Sequence, residues 1–286
     1  MGYLHIENLY KCPDILLLKE CYALEKIHGT SAHIKWKDGL HFFSGGEKHS
    51  NFVALFDDQK LKEAFMVIGC NEVTVYGEAY GGSCQGMSKT YGKQLKFVVF
   101  DVQIDGSWLA VPQAEEVTKS LGLEFVHYWK TCTEVEQLNA CRDMDSEQSK
   151  RNGIEEPRKM EGVVLRPLIE LRKNNGDRVM AKHKRDDYQE RKTPHPIGEA
   201  LLKVIEDANA IADEWVTEMR LTHVVDKLSE GGKILGIENT PDIMKAMYED
   251  VAREAKGEIL ESKEARKAIS KRAAQLFKKR IQTVCV

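Results

Sequence analysis

The chain has 286 residues, with 42 Lys and Arg against 45 Asp and Glu, and a formal net charge of −3. That balance excludes a uniformly basic nucleic-acid coat and an acidic solvating tail, so any attraction to phosphate must come from local patches. The length suffices for a substantial core divided between two domains.

Seven cysteines (Cys12, Cys21, Cys70, Cys84, Cys132, Cys141 and Cys285) are odd in number, and none has Cys-x-x-Cys spacing. In a chain of this size they read as reduced thiols of a cytoplasmic protein and argue against structural zinc. Ile15-Leu16-Leu17-Leu18 is far too short to span a membrane, and no basic segment followed by an apolar one opens the chain. A soluble intracellular protein without membrane contact is expected.

In chain order, 22–27 reads as a strand running into the Gly29 turn. Ala32, Ile34 and Trp36 then alternate with His33, Lys35 and Lys37, the period of a half-buried strand. Asp38-Gly39 predicts a hairpin back through 40–43. Phe52, Leu55, Phe56, Leu61, Phe65 and Ile68 predict one helix over 51–68, stopped by Gly69. Strands follow over 72–80 and 95–104, and Asp105-Gly106 turns the second into 108–111. Pro112 opens a helix that Gly122 closes, with a short strand over 123–129. A helix over 133–150, a polar loop over 146–160 and strands over 162–168 and 178–184 complete this part. The charged segment 185–196, with Pro194 and Pro196, reads as a linker. Beyond it the periodicity is helical, over 201–215, 221–228 (stopped by Gly231-Gly232), 243–255 and 258–281. The plan is a β-rich domain over 1–193 and an all-helical domain over 194–286.

Several side chains in this plan carry chemistry. Lys26 sits between an apolar strand and a glycine turn, with His28 two residues on. Burying an amine costs free energy and disfavours its charged form, and an uncharged lysine is a nucleophile. Taken alone, Lys-x-His-Gly reads as a surface lysine beside a turn. Glu78 is a strand carboxylate between glycines, where a ligand can approach the backbone closely, or else a solvated strand end. Phe97 and Phe100 differ in parity, so one can fill the core while the other stacks on a planar base. Glu161 opens Glu-Gly-Val-Val-Leu-Arg-Pro, with Arg166 near the end of the same strand. Carboxylates of this kind suit Mg²⁺ and its waters, and equally a strand-end ion pair. Lys182 and Lys184 share one strand face and together want an anion, unless they guard a solvated edge.

Taken together, these stretches resemble the covalent nucleotidyltransferase superfamily of ATP-dependent DNA ligases, RNA ligases and mRNA capping enzymes. Lys26-Ile27-His28-Gly29 looks like its motif I, and the histidine points to RNA ligases. Tyr76-Gly77-Glu78 resembles motif III, 97–101 motif IIIa, 161–167 motif IV and Lys182-His183-Lys184 motif V. The wording is most similar to the phage RNA ligase 2 family, and the resemblance covers residues from about 20 to 190. Segment 43–48 departs from the basic pattern of motif Ia, and Ser31 stands where relatives often have asparagine.

The resemblance implies an α+β protein. A nucleotidyltransferase domain of mixed, largely antiparallel sheets is followed by a small helical domain. It implies an ATP-dependent RNA ligase using Mg²⁺ or Mn²⁺ and joining 5′-phosphate to 3′-hydroxyl RNA ends, nicked duplexes included, as a monomer. A ligase for DNA or mixed nicks, or a catalytically silent nucleic-acid binder of the same fold, are the alternatives. In the implied site Lys26 takes AMP, with Lys182, Lys184 and Glu161 as its catalytic partners. Phe97 stacks on adenine, while Glu25, Ile27, His28 and Arg166 contact the nucleotide. Glu78 and Glu161 reach the metal through waters. A terminal helix rich in Lys263, Arg266, Lys267, Lys271, Arg272, Lys278, Lys279 and Arg280 is either a phosphate-binding face or a solvated one.

Overall fold

The structure is a computed structural model, and it describes residues 2–188, 198–229, 235–255, 259 and 262–284. Most of the expected linker, the Gly231-Gly232 stop and the expected start of the last helix lie outside these residues. The chain separates into two compact units, Met1–Cys12 with Glu20–Pro194, and Pro13–Lys19 with His195–Val286.

The first unit is built on two antiparallel sheets, in keeping with the expected α+β class. β1 (Glu20–Glu25) lies inside a four-stranded sheet, between β7 (Tyr128–Cys132) and β8 (Gly162–Pro167), with β9 (Ala181–Lys184) beyond β8. The second sheet has the order β3 (Leu40–Ser44), β2 (Thr30–Trp36), β4 (Val73–Gly81), β5 (Leu95–Ile104), β6 (Ser107–Trp108). Both predicted hairpins form, with Asp38 and Asp105 at φ 55° and 46° ahead of Gly39 and Gly106.

Two predicted helices are each split by a capping residue that the apolar spacing hid. The stretch read as 51–68 is α1 (His49–Val53) and α2 (Asp58–Ile68). Asp57 is extended and accepts the Lys60 N–H at 3.2 Å, so a new helix starts there although the apolar period continues. The stretch from 133 is α5 (Val135–Arg142) and α6 (Glu147–Arg151), the second capped by Ser146, whose Oγ accepts the Ser149 N–H at 3.0 Å. Before them, α3 (Ser88–Tyr91) and α4 (Val111–Ser120) flank β5 and β6. β7 starts later than the strand expected over 123–129, and β9 is shorter than 178–184.

One face of the five-stranded sheet is closed by α1 and α2. Phe52 meets Phe97 at 5.2 Å, and Trp36 stacks on Phe65 at 6.0 Å. On the other face of this sheet Asp101 is fully buried, and besides the Val102 N–H at 3.0 Å three side chains satisfy it. The Arg166 Nη1 donates to it at 2.9 Å, the Tyr3 hydroxyl at 2.5 Å, and Arg178 donates as well. Both arginines also bind Glu170. Removing one member of such a network strands the others without partners. Arg166→Met is expected to lower unfolding free energy by about 3–5 kcal/mol in urea titrations.

The helical unit packs α7 (Glu199–Trp215), α8 (Glu218–Leu228), α9 (Thr240–Glu254) and α10 (Lys263–Val284) with a short 3₁₀ turn at Pro13–Leu17. Ile15, Leu16, Leu17 and Leu18 are all buried, and Asn209 Nδ2 donates to the Leu16 carbonyl at 2.8 Å. Several cations of α10 are engaged inside this unit. Lys267 and Lys271 reach Asp14, Arg272 reaches Asp213, and Arg266 covers the Tyr248 ring. Among the described residues no helix is long and apolar enough to cross a membrane.

Candidate active site

Lys26 is the first residue past β1, and its backbone N–H donates to the Gly162 carbonyl at 2.9 Å. Two further hydrogen bonds fix the turn that follows. The His28 N–H donates to the Tyr91 hydroxyl at 3.3 Å, and the Gly29 N–H donates to Glu78 Oε1 at 3.1 Å. Gly29 is required for that approach, because a Cβ there would lie 2.3 Å from the Ala79 carbonyl oxygen. The turn therefore presents the Lys26 side chain from a rigid frame.

Glu161 is the centre of charge. Its Oε2 lies 2.9 Å from Lys26 Nζ and 3.2 Å from His28 Nδ1, and its Oε1 lies 2.8 Å from Lys184 Nζ. Burial alone would raise this carboxyl. The hydrogen bond from His28 and the charges of Lys26 and Lys184 outweigh burial and hold it down at about 2. Glu78 behaves oppositely. Burial pushes it up to about 7 against the pull of Lys26, and the negative charge of Glu161 adds to the rise. The two carboxylates thus titrate far apart, a pattern typical of functional sites.

Beside Lys26 lies a cavity of about 330 Å³ between the two sheets. Leu24, Ile27, Val98, Phe100, Val126 and Val164 give it apolar walls, while Ser31, Glu78 and Lys182 supply polar ones. This size and mixture suit a small planar ligand with a charged end. Lys182 and Lys184 share a face of β9, as their spacing predicts, whereas His183 turns the other way and meets Asn139 Oδ1 at 2.8 Å.

Two predicted contacts are not met by this geometry, and a third is refined by it. Glu25 borders the cavity, as expected of a residue beside the base that acts through its backbone, while its carboxylate is engaged elsewhere. It is buried and caps α6, accepting from Ser146 Oγ at 2.5 Å and from the Glu147 and Gln148 N–H groups at 3.0 Å. Phe97 packs on Phe52 and Phe56, at 5.2 and 5.7 Å, so the ring lining the cavity is Phe100. Parity did place the two rings on opposite faces, but it could not say which face the helices would close. A bulge contributes as well: Tyr76 pairs with Asp101 and Gly77 with Val99, leaving Phe100 as the extra residue. Arg166 borders the cavity, but both its terminal nitrogens are committed to Asp101, Glu170 and the Phe100 and Leu109 carbonyls. It positions the wall and is not free to grip a phosphate.

The segment Tyr3 to Ile6 also lines the cavity and went unread in the sequence. It is held at both ends: the Tyr3 N–H points to Ser31 Oγ at 3.4 Å, and Glu7 and Leu9 hydrogen-bond the Lys182 backbone at 2.9 Å. Lys48, the doubtful motif Ia residue, is exposed outside this lining.

A strand-end lysine, a depressed and a raised carboxyl, an apolar slot and a Lys-x-Lys strand thus gather in one place, as the sequence resemblance implies. The chain belongs to the RNA ligase family, whose model matches residues 19–184, more than half of its length. No curated protein matches the sequence. Among solved structures, a variant of the Naegleria gruberi RNA ligase with AMP and Mn is similar at TM-score 0.51 and 17% identity. A variant of that ligase with ATP and Mn gives 0.51 at 18%, and the ligase with PPi gives 0.51 at 19%. Each match covers 66% of this chain and 57% of the Naegleria chain. At this identity the likeness is one of fold.

The ring assignment has a direct test. Phe100→Ala is expected to weaken ATP binding by roughly tenfold, as loss of a base–aromatic stack does. Phe97→Ala is expected to lower the melting temperature while leaving nucleotide affinity within twofold. Equilibrium binding and thermal melts on both variants separate the two roles.

Proposed function

We propose that this chain is an ATP-dependent RNA ligase that works through a lysyl-AMP intermediate. The observation that carries the reading is the placement of Lys26. Its amine stands beside an apolar cavity and shares one ionised carboxylate with Lys184. The Naegleria neighbours solved with ATP or AMP and manganese support a nucleotide and a divalent ion as cofactors.

In this reading the base enters the slot against Phe100, and the triphosphate runs toward Lys182 and Lys184. Lys26 Nζ, having given its proton to solvent water, attacks the α-phosphorus. An N–P bond forms, the P–O bond to pyrophosphate breaks, and pyrophosphate leaves. AMP then passes to a 5′-phosphate of RNA, and Lys26 is released. A 3′-hydroxyl attacks the activated end, forming the phosphodiester and expelling AMP. Two cationic side chains along the phosphates stabilise the charge that develops in each step.

Among the described residues no group of three or more His, Cys, Asp and Glu is gathered to hold a metal ion. Two carboxylates, Glu161 and Glu78, fit a Mg²⁺ or Mn²⁺ ion bound mostly through its own waters and the phosphates. Such an ion would supply charge neutralisation at the α-phosphate.

The reading is tested by incubating the protein with α-labelled ATP and a divalent ion, then with 5′-phosphorylated RNA or DNA. A label that survives denaturation, moves to RNA ends and leaves as AMP on sealing supports it. Absence of any covalent label favours a silent binder, and transfer to DNA ends alone favours a DNA ligase. A pH series adds a check on Glu78. Its carboxyl ionises near pH 7, so the rate of label uptake should fall as pH drops through that value. Glu78→Gln should flatten this limb and lower its plateau.

A further inference from the structure

The face of the five-stranded sheet opposite α1 and α2 carries a row of half-exposed rings. Phe43, His33 and Tyr76 are direct cross-strand neighbours on β3, β2 and β4. Phe43 and His33 lie parallel, 4.9 Å apart at 15°. His33 is 5.4 Å from Tyr76, and Tyr76 is 5.2 Å from Trp108 on β6. Tyr3 packs on both Tyr76 and Trp108, and the Arg178 guanidinium lies over Trp108, so Phe43 and His33 are the rings of the row that these two side chains leave uncovered. None of these four lines the cavity beside Lys26.

The position of this row is informative. Ser31 pairs with Glu78, and His33 pairs with Tyr76, two residues further along each strand. At a rise of about 3.3 Å per residue, the row lies roughly 6.6 Å from the Glu78 rung. A nucleotide whose phosphate met the reactive centre would therefore have its base within reach of these rings. Further along the strands from the row, Lys35 and Lys37 bind the carboxylate of Glu72 at 2.5 and 2.9 Å, and Asp38 also faces Lys37. Burial, followed by nearby positive charge including Lys35, lowers His33 to about 4, so its ring is uncharged near neutral pH and offers a π face.

Cross-strand ring pairs alone could explain the row as sheet stabilisation. A neutral aromatic strip beside a phosphate-handling centre is also how proteins hold unpaired bases. We propose that Phe43 and His33 form a stacking site for the base of the 5′-terminal nucleotide of the RNA being activated. This rests on the ligase reading above and extends it to the polynucleotide.

The test uses the full chain and a single-stranded, 5′-phosphorylated oligoribonucleotide with 2-aminopurine as its first base. Its fluorescence is expected to be quenched on binding. Phe43→Leu, which keeps an apolar side chain but removes the π face, and His33→Ala should each weaken binding about tenfold and relieve the quench. Both should form lysyl-AMP from ATP at wild-type rate, which shows that each variant is folded. The same oligomer with an abasic first position should bind the wild type as weakly as the intact oligomer binds the variants. Equal affinity of wild type, variants and abasic oligomer, or no quench, overturns the stacking site. Should His33→Ala fail to fold, Phe43→Leu and the abasic oligomer decide alone. Absence of lysyl-AMP in the wild type overturns the ligase reading instead, and is scored independently of the quench.

Discussion

Lys26→Ala is expected to abolish the covalent nucleotide adduct of the proposed mechanism. No other residue of the centre can replace its amine as a nucleophile in that frame: Lys184 is held 2.8 Å from the far oxygen of Glu161, and Lys182 lines the cavity from β9. The variant should fold, because Glu161 keeps Lys184 and His28 as partners. Label from α-labelled ATP is expected to fall below detection, while ATP still binds. RNA supplied with an already adenylylated 5′ end should still be joined, since that step needs the site but not the nucleophile. Loss of adduct together with loss of joining would mean that the substitution had damaged the whole site.

The second large effect is expected at Glu161. Glu161→Gln keeps the size and removes the charge, leaving Lys26 and Lys184 close together without a shared counter-ion. Adduct formation should drop by about 10² or more, the usual cost of losing a preorganised electrostatic partner. Stability should change with a defined pH signature. The folded carboxyl titrates at about 2, below its ordinary range, so its ionised form stabilises the fold above roughly pH 4.5. That contribution fades as pH falls toward 2, and wild type and variant should converge there in denaturant titrations. A gap that stayed constant from pH 7 to pH 3 would show that the carboxylate is not bound as described.

Much of the site was legible because its parts are local in sequence. Lys26 with Gly29, Glu161 with Gly162, and Lys182 with Lys184 each pair a functional side chain with a nearby turn or strand period. The hairpins were readable for the same reason, since Asp38-Gly39 and Asp105-Gly106 encode left-handed turns in two residues. What escaped depends on distant partners. The partner of the Glu25 carboxylate could not be read, because Ser146, which it binds, lies over a hundred residues away. Arg166 looked free until Asp101 and Glu170 were placed beside it. Tyr3 carries no motif, and its hydroxyl finds Asp101 only when the sheets assemble. The split helices failed differently: apolar spacing ran straight through Asp57, and a single capping side chain overrode it.

The short apolar turn at Pro13–Leu17 separates Cys12 from Glu20 along the chain yet belongs to the helical unit. The two units are therefore interleaved in sequence and cannot be parted by a single cut. A fragment ending at Pro194 would keep Ile15, Leu16, Leu17 and Leu18 but lose the four helices of the unit to which they belong. Transplanting either unit into another protein would require moving the turn with the helices and bridging the gap it leaves.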